Sequence, residues 1–96
     1  MKIDLNFPPF QQDLFSLDKT QLTGFVKCLK IINKMDIRQV QRSSGLNLEN
    51  IKNLKTSNGK TLFSIRMSKS FRAIICIEDN FIRFISLHPD HDSAYK

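Results

Sequence analysis

The last third of the chain holds three short runs rich in β-branched and aromatic residues, and this feature constrains the fold most. The runs are Thr61–Met67, Phe71–Ile77 and Phe81–Leu87. Only three residues separate each run from the next, Ser68-Lys69-Ser70 and Glu78-Asp79-Asn80. Parallel strands need much longer crossover connections. The pattern therefore predicts an antiparallel meander.

The beginning of the chain predicts a strand followed by two helices. In Lys2–Phe7 apolar and polar side chains alternate, which is typical of a half-buried strand. Pro8-Pro9 ends this strand and is tolerated at a helix start. Apolar residues at helical spacing follow, and Asp18-x-x-Gln21 has the form of a capping box that opens a second helix. We interpret the two helices as a hairpin with one apolar face to bury.

The middle of the chain is less clear. Asp36–Arg42 is compatible with one or two further helical turns, and Leu46–Gly59 with a short strand or an irregular segment. The order of elements predicts a single α+β domain spanning residues 1–96. In it, an N-terminal strand and a helical hairpin pack on a small antiparallel β-sheet.

Composition argues against several functional classes. No apolar run approaches the roughly 18 residues of a membrane-spanning helix, and the N-terminal residues lack the apolar stretch of a secretory signal. The 3 glycines are scattered singly, so no phosphate-binding loop is predicted. Cys28 and Cys76 lie far apart in apolar stretches, and we expect buried free thiols in a reducing cytoplasm. We expect no metal, cofactor or membrane partner.

The net charge indicates a polyanionic partner. Lys and Arg number 15 and Asp and Glu 9, which gives +6 at pH 7. RNA, DNA, an acidic protein or a membrane surface would each fit this charge. Residues 51–96 carry a net charge of +4 and residues 1–50 a net charge of +2, so the excess leans toward the meander.

The first predicted hairpin brings two arginines together. A turn centred on Lys69 pairs Ile65 with Ala73 on the apolar face, and Arg66 with Arg72 on the other. Like charges opposed on paired strands repel each other, so an anion bound between the arginines would explain the arrangement. Guanidinium groups suit a phosphate because they bind it bidentately. A solvated basic face is the alternative interpretation.

The third strand of the meander allows two registers. A two-residue loop before it would put Arg83 on the same face as Arg72, whereas an odd-length loop would put Ser86 and His88 there. Both registers keep enough apolar side chains inward, so the sequence leaves both open.

A cluster of chemically versatile side chains ends the chain. His88, His91 and Tyr95 are its only histidines and its only tyrosine. Cleavage of RNA through its own 2′-hydroxyl needs a base, an acid and cations near the phosphorus, and His, Tyr and Arg supply these without a metal. Three other interpretations remain open: a metal site that includes Asp90 and Asp92, a polar tail without function, and a tyrosine that only packs on the sheet.

These elements, in this order, resemble the RelE/ParE toxin superfamily over nearly the whole chain. The resemblance is carried by four segments: Gly45–Lys52, Leu62–Arg66, Ser70–Ile75, and Phe81–His88 with the Tyr-containing tail. It implies a toxin of a bacterial type II toxin–antitoxin pair. RelE-like members are endoribonucleases that cleave mRNA in the ribosomal A site, and an antitoxin protein covers their basic surface.

The resemblance also implies roles for single residues. Arg66 and Arg72 would stabilise the phosphate in the transition state, and His88 or His91 would transfer a proton. Tyr95 would stack on the substrate or assist proton transfer. Five further cations are expected to contact RNA: Lys52, Lys55, Lys60, Lys69 and Arg83.

The chain departs from the family pattern in several places. Ser64 stands where several members have a second basic residue, and Ser70 replaces a common glycine. Asp90 and Asp92 add negative charge to the tail. Which group is the acid and which the base therefore stays open. A ParE-like gyrase inhibitor and a catalytically inactive binding protein are the alternative functions, and the His and Tyr cluster favours the nuclease.

Overall fold

The computed structural model of the chain describes residues 1–89, without the side chains of residues 52–54. Within that part, one five-stranded sheet and three helices form an α+β fold, which confirms the predicted class. In chain order the elements are β1 (Lys2–Asp4), α1 (Pro8–Phe15), α2 (Lys19–Asn33), α3 (Ile37–Arg42), β2 (Glu49–Lys55), β3 (Thr61–Arg66), β4 (Arg72–Glu78) and β5 (Phe81–His88).

The sheet has the strand order β1-β5-β4-β3-β2 and is mixed, where a purely antiparallel sheet was expected. Strands β2 to β5 pair antiparallel, and the predicted meander is present. β1 lies at the edge and pairs parallel to β5, with Ile3 opposite Ile82. Parallel pairing is possible here because all the other elements intervene in sequence between β1 and β5.

The helices α2 and α3 begin where a side chain can satisfy one of their first backbone N–H groups. At α2, Asp18 Oδ1 accepts a hydrogen bond from Gln21 N at 2.7 Å, and Gln21 Oε1 accepts one from Asp18 N at 2.9 Å. Asp36 and Gln39 make the same reciprocal pair at α3, with both distances 2.8 Å. Such capping boxes pair donors that the helix itself leaves unpaired. The first box was predicted. The second sets the start of the short helix α3.

The core lies between the helices and one face of the sheet. Phe84 of β5 contacts Phe10 of α1 and Phe25 of α2, with ring centroids 5.7 and 5.5 Å apart. All three rings are buried. Aromatic side chains bury large apolar areas, so these contacts join both long helices to the sheet.

The segment between α3 and the meander is a strand, β2, which the sequence left undecided. Glu49 pairs with Ser64 and Asn50 with Phe63, and the register then shifts before Lys55 reaches Thr61. This irregularity explains the weak periodicity, because side chains on either side of the shift no longer alternate in step.

Both cysteines are free and buried, as predicted. Burial raises the pKa of the Cys28 and Cys76 thiols, which keeps them protonated near neutral pH. None of the described helices combines the length and the apolar character needed to cross a membrane.

Candidate anion-binding site

The β3–β4 hairpin has the predicted register. Ile65 lies opposite Ala73, and Arg66 opposite Arg72. Ile65 and Ala73 belong to the core beneath the helices. Successive side chains of a strand point to opposite faces, so both arginines belong to the face turned away from the helices, which we call the outer face.

A bulge in β5 resolves the two registers that the sequence left open. The turn has two residues, so Cys76 lies opposite Arg83, as a two-residue loop predicts. The register then shifts between Ile74 and Ile75 of β4, and Arg72 lies opposite His88. The shift inserts one extra residue into β5 and reverses the facing of the side chains that follow it. Arg83 and His88 therefore share the outer face, although the sequence offered them as alternatives.

Arg72 is buried, with 3% of its surface exposed, so at this residue the outer face is not the solvated basic face that the sequence offered as the alternative. Its Nη2 donates to Ser64 Oγ at 2.9 Å and lies 3.6 Å from Glu49 Oε2. The preceding strands β2 and β3 thus supply the groups that cover the guanidinium. Arg66 is exposed, so the two opposed arginines occupy different environments.

One nitrogen of Arg72 has no hydrogen-bond partner among the described residues. Among the described residues, Nε of Arg72 is the one buried side-chain nitrogen or oxygen that makes no hydrogen bond. A buried charged donor without an acceptor is costly, so such a group usually marks a strained or ligand-binding position. An anion oxygen would complete its hydrogen bonding.

His88 lies on the outer face beside Arg72. Ser86 Oγ lies 2.8 Å from His88 Nε2. Burial lowers the pKa of His88, and the nearby carboxylate of Asp13 partly opposes this effect. The imidazole is therefore mainly neutral near pH 7, the state in which it accepts a proton. We call Ser64, Arg66, Arg72, Ser86 and His88 together the anion site.

Asp13 of α1 holds the end of β5 that carries His88. Its Oδ2 accepts a hydrogen bond from Leu87 N at 3.0 Å, which ties α1 to the end of β5. The sequence did not single out Asp13 because it lies on a helix far from the meander. No local spacing connects it to His88. Only the packing of α1 on β5 brings the two together.

The other predicted contacts to RNA are spread around the sheet. Lys55 and Lys60 are exposed at the β2–β3 connection, and Lys69 is exposed in the β3–β4 turn. The Lys52 side chain lies outside the described residues. So do His91 and Tyr95, together with the acidic residues of the tail, and their proposed roles stay predictions.

Arg83 lies at the opposite end of the outer face, in an ion-pair network. Its Nε donates to Asp4 Oδ2 at 2.9 Å, and its Nη1 lies 3.9 Å from Glu78 Oε1. The Asn6 backbone N–H and Arg83 both lower the pKa of Asp4, so that carboxylate stays ionised. The two acids compensate the charge of Arg83, which makes it a weaker candidate for binding RNA than Arg66, which forms no ion pair with the described residues.

Comparisons with known proteins connect the fold, rather than the sequence, to a toxin. No protein-family model matches the chain, and no curated protein matches it. A solved structure, the crystal structure of a copper-bound mutant toxin from Helicobacter pylori, is similar over 99% of both chains, with a TM-score of 0.53 and 15% sequence identity. At this identity the likeness concerns the fold alone. Within the described residues, no group of three or more His, Cys, Asp or Glu side chains is placed to hold a metal ion.

Proposed function

We propose that the protein is the toxin of a type II toxin–antitoxin module, and that it is a RelE-like endoribonuclease acting on mRNA at the ribosome. The observation that carries this proposal is the buried guanidinium of Arg72 on β4, which lies opposite His88 on β5 and whose Nε has no partner in the described part of the chain. The toxin of similar fold supports the broader part of the proposal. The residues of the anion site support the narrower part.

The anion site contains groups suited to breaking an RNA backbone without a metal. In the proposed reaction, the 2′-hydroxyl oxygen attacks the adjacent phosphorus and the 5′-oxygen leaves. His88, mainly neutral, accepts the proton of the 2′-hydroxyl. The leaving oxygen takes a proton from His91 or Tyr95, the two remaining candidates for the acid.

Arg72 and Arg66 would bind the phosphate in different ways. Arg72 is fixed by Ser64 and buried, so its charge is oriented before substrate arrives and is weakly screened by salt. Arg66 is exposed and adjusts to the incoming backbone. The negative charge that develops on the phosphoryl oxygens would therefore be stabilised by one fixed guanidinium, that of Arg72, and one mobile guanidinium, that of Arg66. The surrounding lysines would contribute mainly to affinity for the backbone.

The proposal includes two macromolecular partners in the cytoplasm. One is the ribosome carrying mRNA in its A site, which the exposed cations Lys55, Lys60 and Lys69 would contact through ribosomal RNA, with Lys52 and Arg83 as further candidates. The other is a cognate antitoxin that neutralises the toxin and is acidic where it touches it. A ParE-like gyrase inhibitor and a catalytically inactive binding protein remain the competing functions.

Expression in bacterial cells separates these functions. We expect the intact protein to arrest growth and to produce cuts in A-site codons, mapped by primer extension. The Arg38→Met variant should act like the wild type, because Arg38 is exposed on α3 away from the anion site. Growth arrest with intact mRNA and double-strand DNA breaks at gyrase sites would support the ParE-like function instead. Normal growth would support the inactive protein.

A further inference from the structure

The outer face has an apolar middle between the anion site and Arg83. Leu62 of β3 and both Ile74 and Cys76 of β4 are buried there and form a small cluster separate from the main core, with Ile85 packed against it. A cavity of about 400 Å³ adjoins this cluster, and Leu62, Cys76 and Ile85 line it. The proposed cleavage reaction uses none of these residues. An apolar floor in a cavity of this size suits a flat, partly apolar group such as a nucleobase.

Arg83 and Glu78 also line the cavity, and they place a hydrogen-bond donor beside an acceptor. The 3.9 Å between Arg83 Nη1 and Glu78 Oε1 is too long for a hydrogen bond, so the ion pair leaves both groups able to bond to a ligand. Asp4 orients the guanidinium by accepting from its Nε at 2.9 Å. Because Asp4 and Glu78 offset its charge, Arg83 suits a neutral base better than a phosphate. Lys55, which lines the cavity as well, supplies a cation for the phosphate of that nucleotide.

We propose that this cavity binds a guanine base of the RNA strand held at the anion site, and that Glu78 and Arg83 select guanine. Guanine presents its O6 acceptor beside the N1–H and N2–H donors, which matches Arg83 beside Glu78. Adenine presents a donor and an acceptor in the opposite order, so the lone pair of its N1 would face a carboxylate. Phe7 also lines the cavity and offers a ring on which the base stacks.

The spacing along β4 allows one RNA strand to reach both places. Arg72 and Cys76 lie four residues apart on this strand, a distance of about 13 Å. Stacked RNA, at about 3.4 Å per nucleotide, covers this distance in about four nucleotides, and an extended strand covers it in fewer. The inference rests on the proposed function for the presence of the strand. It adds a position at which the protein reads the sequence of the RNA.

Binding of uncleavable RNA tests the cavity separately from cleavage. The probes are 2′-O-methyl hexanucleotides of uridine with one guanine or one adenine at each position in turn, and their dissociation constants for the full-length protein are measured by fluorescence anisotropy. We expect guanine at one position to bind about tenfold more tightly than adenine at that position, with NMR shift changes at the amides of Cys76 and Arg83. Equal affinity for the two bases at every position would overturn the inference. Guanosine monophosphate that binds as tightly as the best hexanucleotide would also overturn it, because the cavity would then take a free nucleotide.

The role of Glu78 is tested with a matched pair of variants. Glu78→Gln keeps the shape of the side chain but loses one of its two acceptor oxygens, so the preference for guanine should fall to about twofold or less. Asp79→Asn removes an equal charge from the next residue, which does not line the cavity, and should keep the preference. An unchanged preference in Glu78→Gln, or an equal loss in Asp79→Asn, would contradict the inference.

The role of Phe7 is tested in the same way. Phe7→Leu should weaken the binding of both bases by about fivefold or more without changing their ratio, because it removes the stacking surface. Phe81→Leu makes the same change at an exposed ring outside the cavity and should bind like the wild type. Equal affinities of the two variants would count against the cavity as the binding place. Guanine-selective binding without cleavage on the ribosome would contradict only the proposed function, and cleavage by a protein that binds both bases alike would contradict only this inference.

Discussion

Arg72 shows how burial changes the role of a charged residue. An exposed arginine is hydrated and mobile, and its ion pairs contribute little to stability. Arg72 is instead held by Ser64 and Glu49, and its Nε has no acceptor within residues 1–89 as the structure describes them. The fold keeps this charge in place although an isolated buried charge is unfavourable. A fixed cation with one unmet hydrogen bond is the arrangement expected of a group that binds an anion.

Two opposing effects, burial and a nearby carboxylate, shift the pKa of His88. Burial lowers the pKa of His88, and Asp13 raises it. Asp13→Asn keeps an oxygen that can accept from Leu87 N but removes the negative charge, so the pKa of His88 should fall further. If neutral His88 is the base, the acidic limb of the pH–rate profile should move to lower pH in this variant.

An NMR titration of the His88 ring in both proteins measures this change directly. Asp79→Asn serves as the control, because it removes an exposed acid at the other end of the β4–β5 hairpin. A pKa of His88 that is unchanged or higher in Asp13→Asn would show that the carboxylate does not act on the imidazole.

Among the secondary-structure elements, the predictable ones were those specified by local signals. The Asp18 capping box and the hairpin about Lys69 both depend on residues a few positions apart, and both are present. The bulge in β5 was not predictable. Phe84 and Ile85 are both apolar, so the alternation of apolar and polar residues along β5 does not show which of them is the inserted residue. The parallel pairing of β1 with β5 joins the two ends of the sequence, and no local signal reports it.

The capping box of α3 offers a test at this scale. Asp36→Ala removes the oxygen that accepts from Gln39 N, so the helix loses a partner for one of its first donors. We expect the free energy of unfolding to fall by about 1 kcal/mol, measured by urea denaturation. Asp79→Asn provides the comparison, because Asp79 is an exposed acid that caps no helix and asparagine tolerates the positive φ of 52° at this turn position. Equal stability of the Asp36 variant and the wild type would mean that α3 is held by packing alone.

In the molecule as a whole, the net charge of +6 is distributed over separate regions of the surface. The outer face carries the anion site near one end and the neutralised Arg83 near the other. Within the described residues, the segment 19–42 carries six exposed basic side chains that form no ion pair. The sequence predicted the α+β fold and the pairing of Arg66 with Arg72. It did not predict the burial of Arg72 or the support from Asp13, since both depend on contacts between distant segments.

The central claim is that the anion site cleaves mRNA, and one measurement tests it most directly. Ribosomes programmed with a defined codon in the A site are mixed with purified wild-type protein or with Arg72→Met, and the mRNA is mapped by primer extension. Methionine approximates the length of arginine without its charge, so the variant should remain folded, with a similar free energy of unfolding. We predict cuts in the A-site codon with the wild type and a rate at least about 100-fold lower with Arg72→Met. Intact mRNA with the wild type, or equal cleavage by a folded Arg72→Met, would contradict the account.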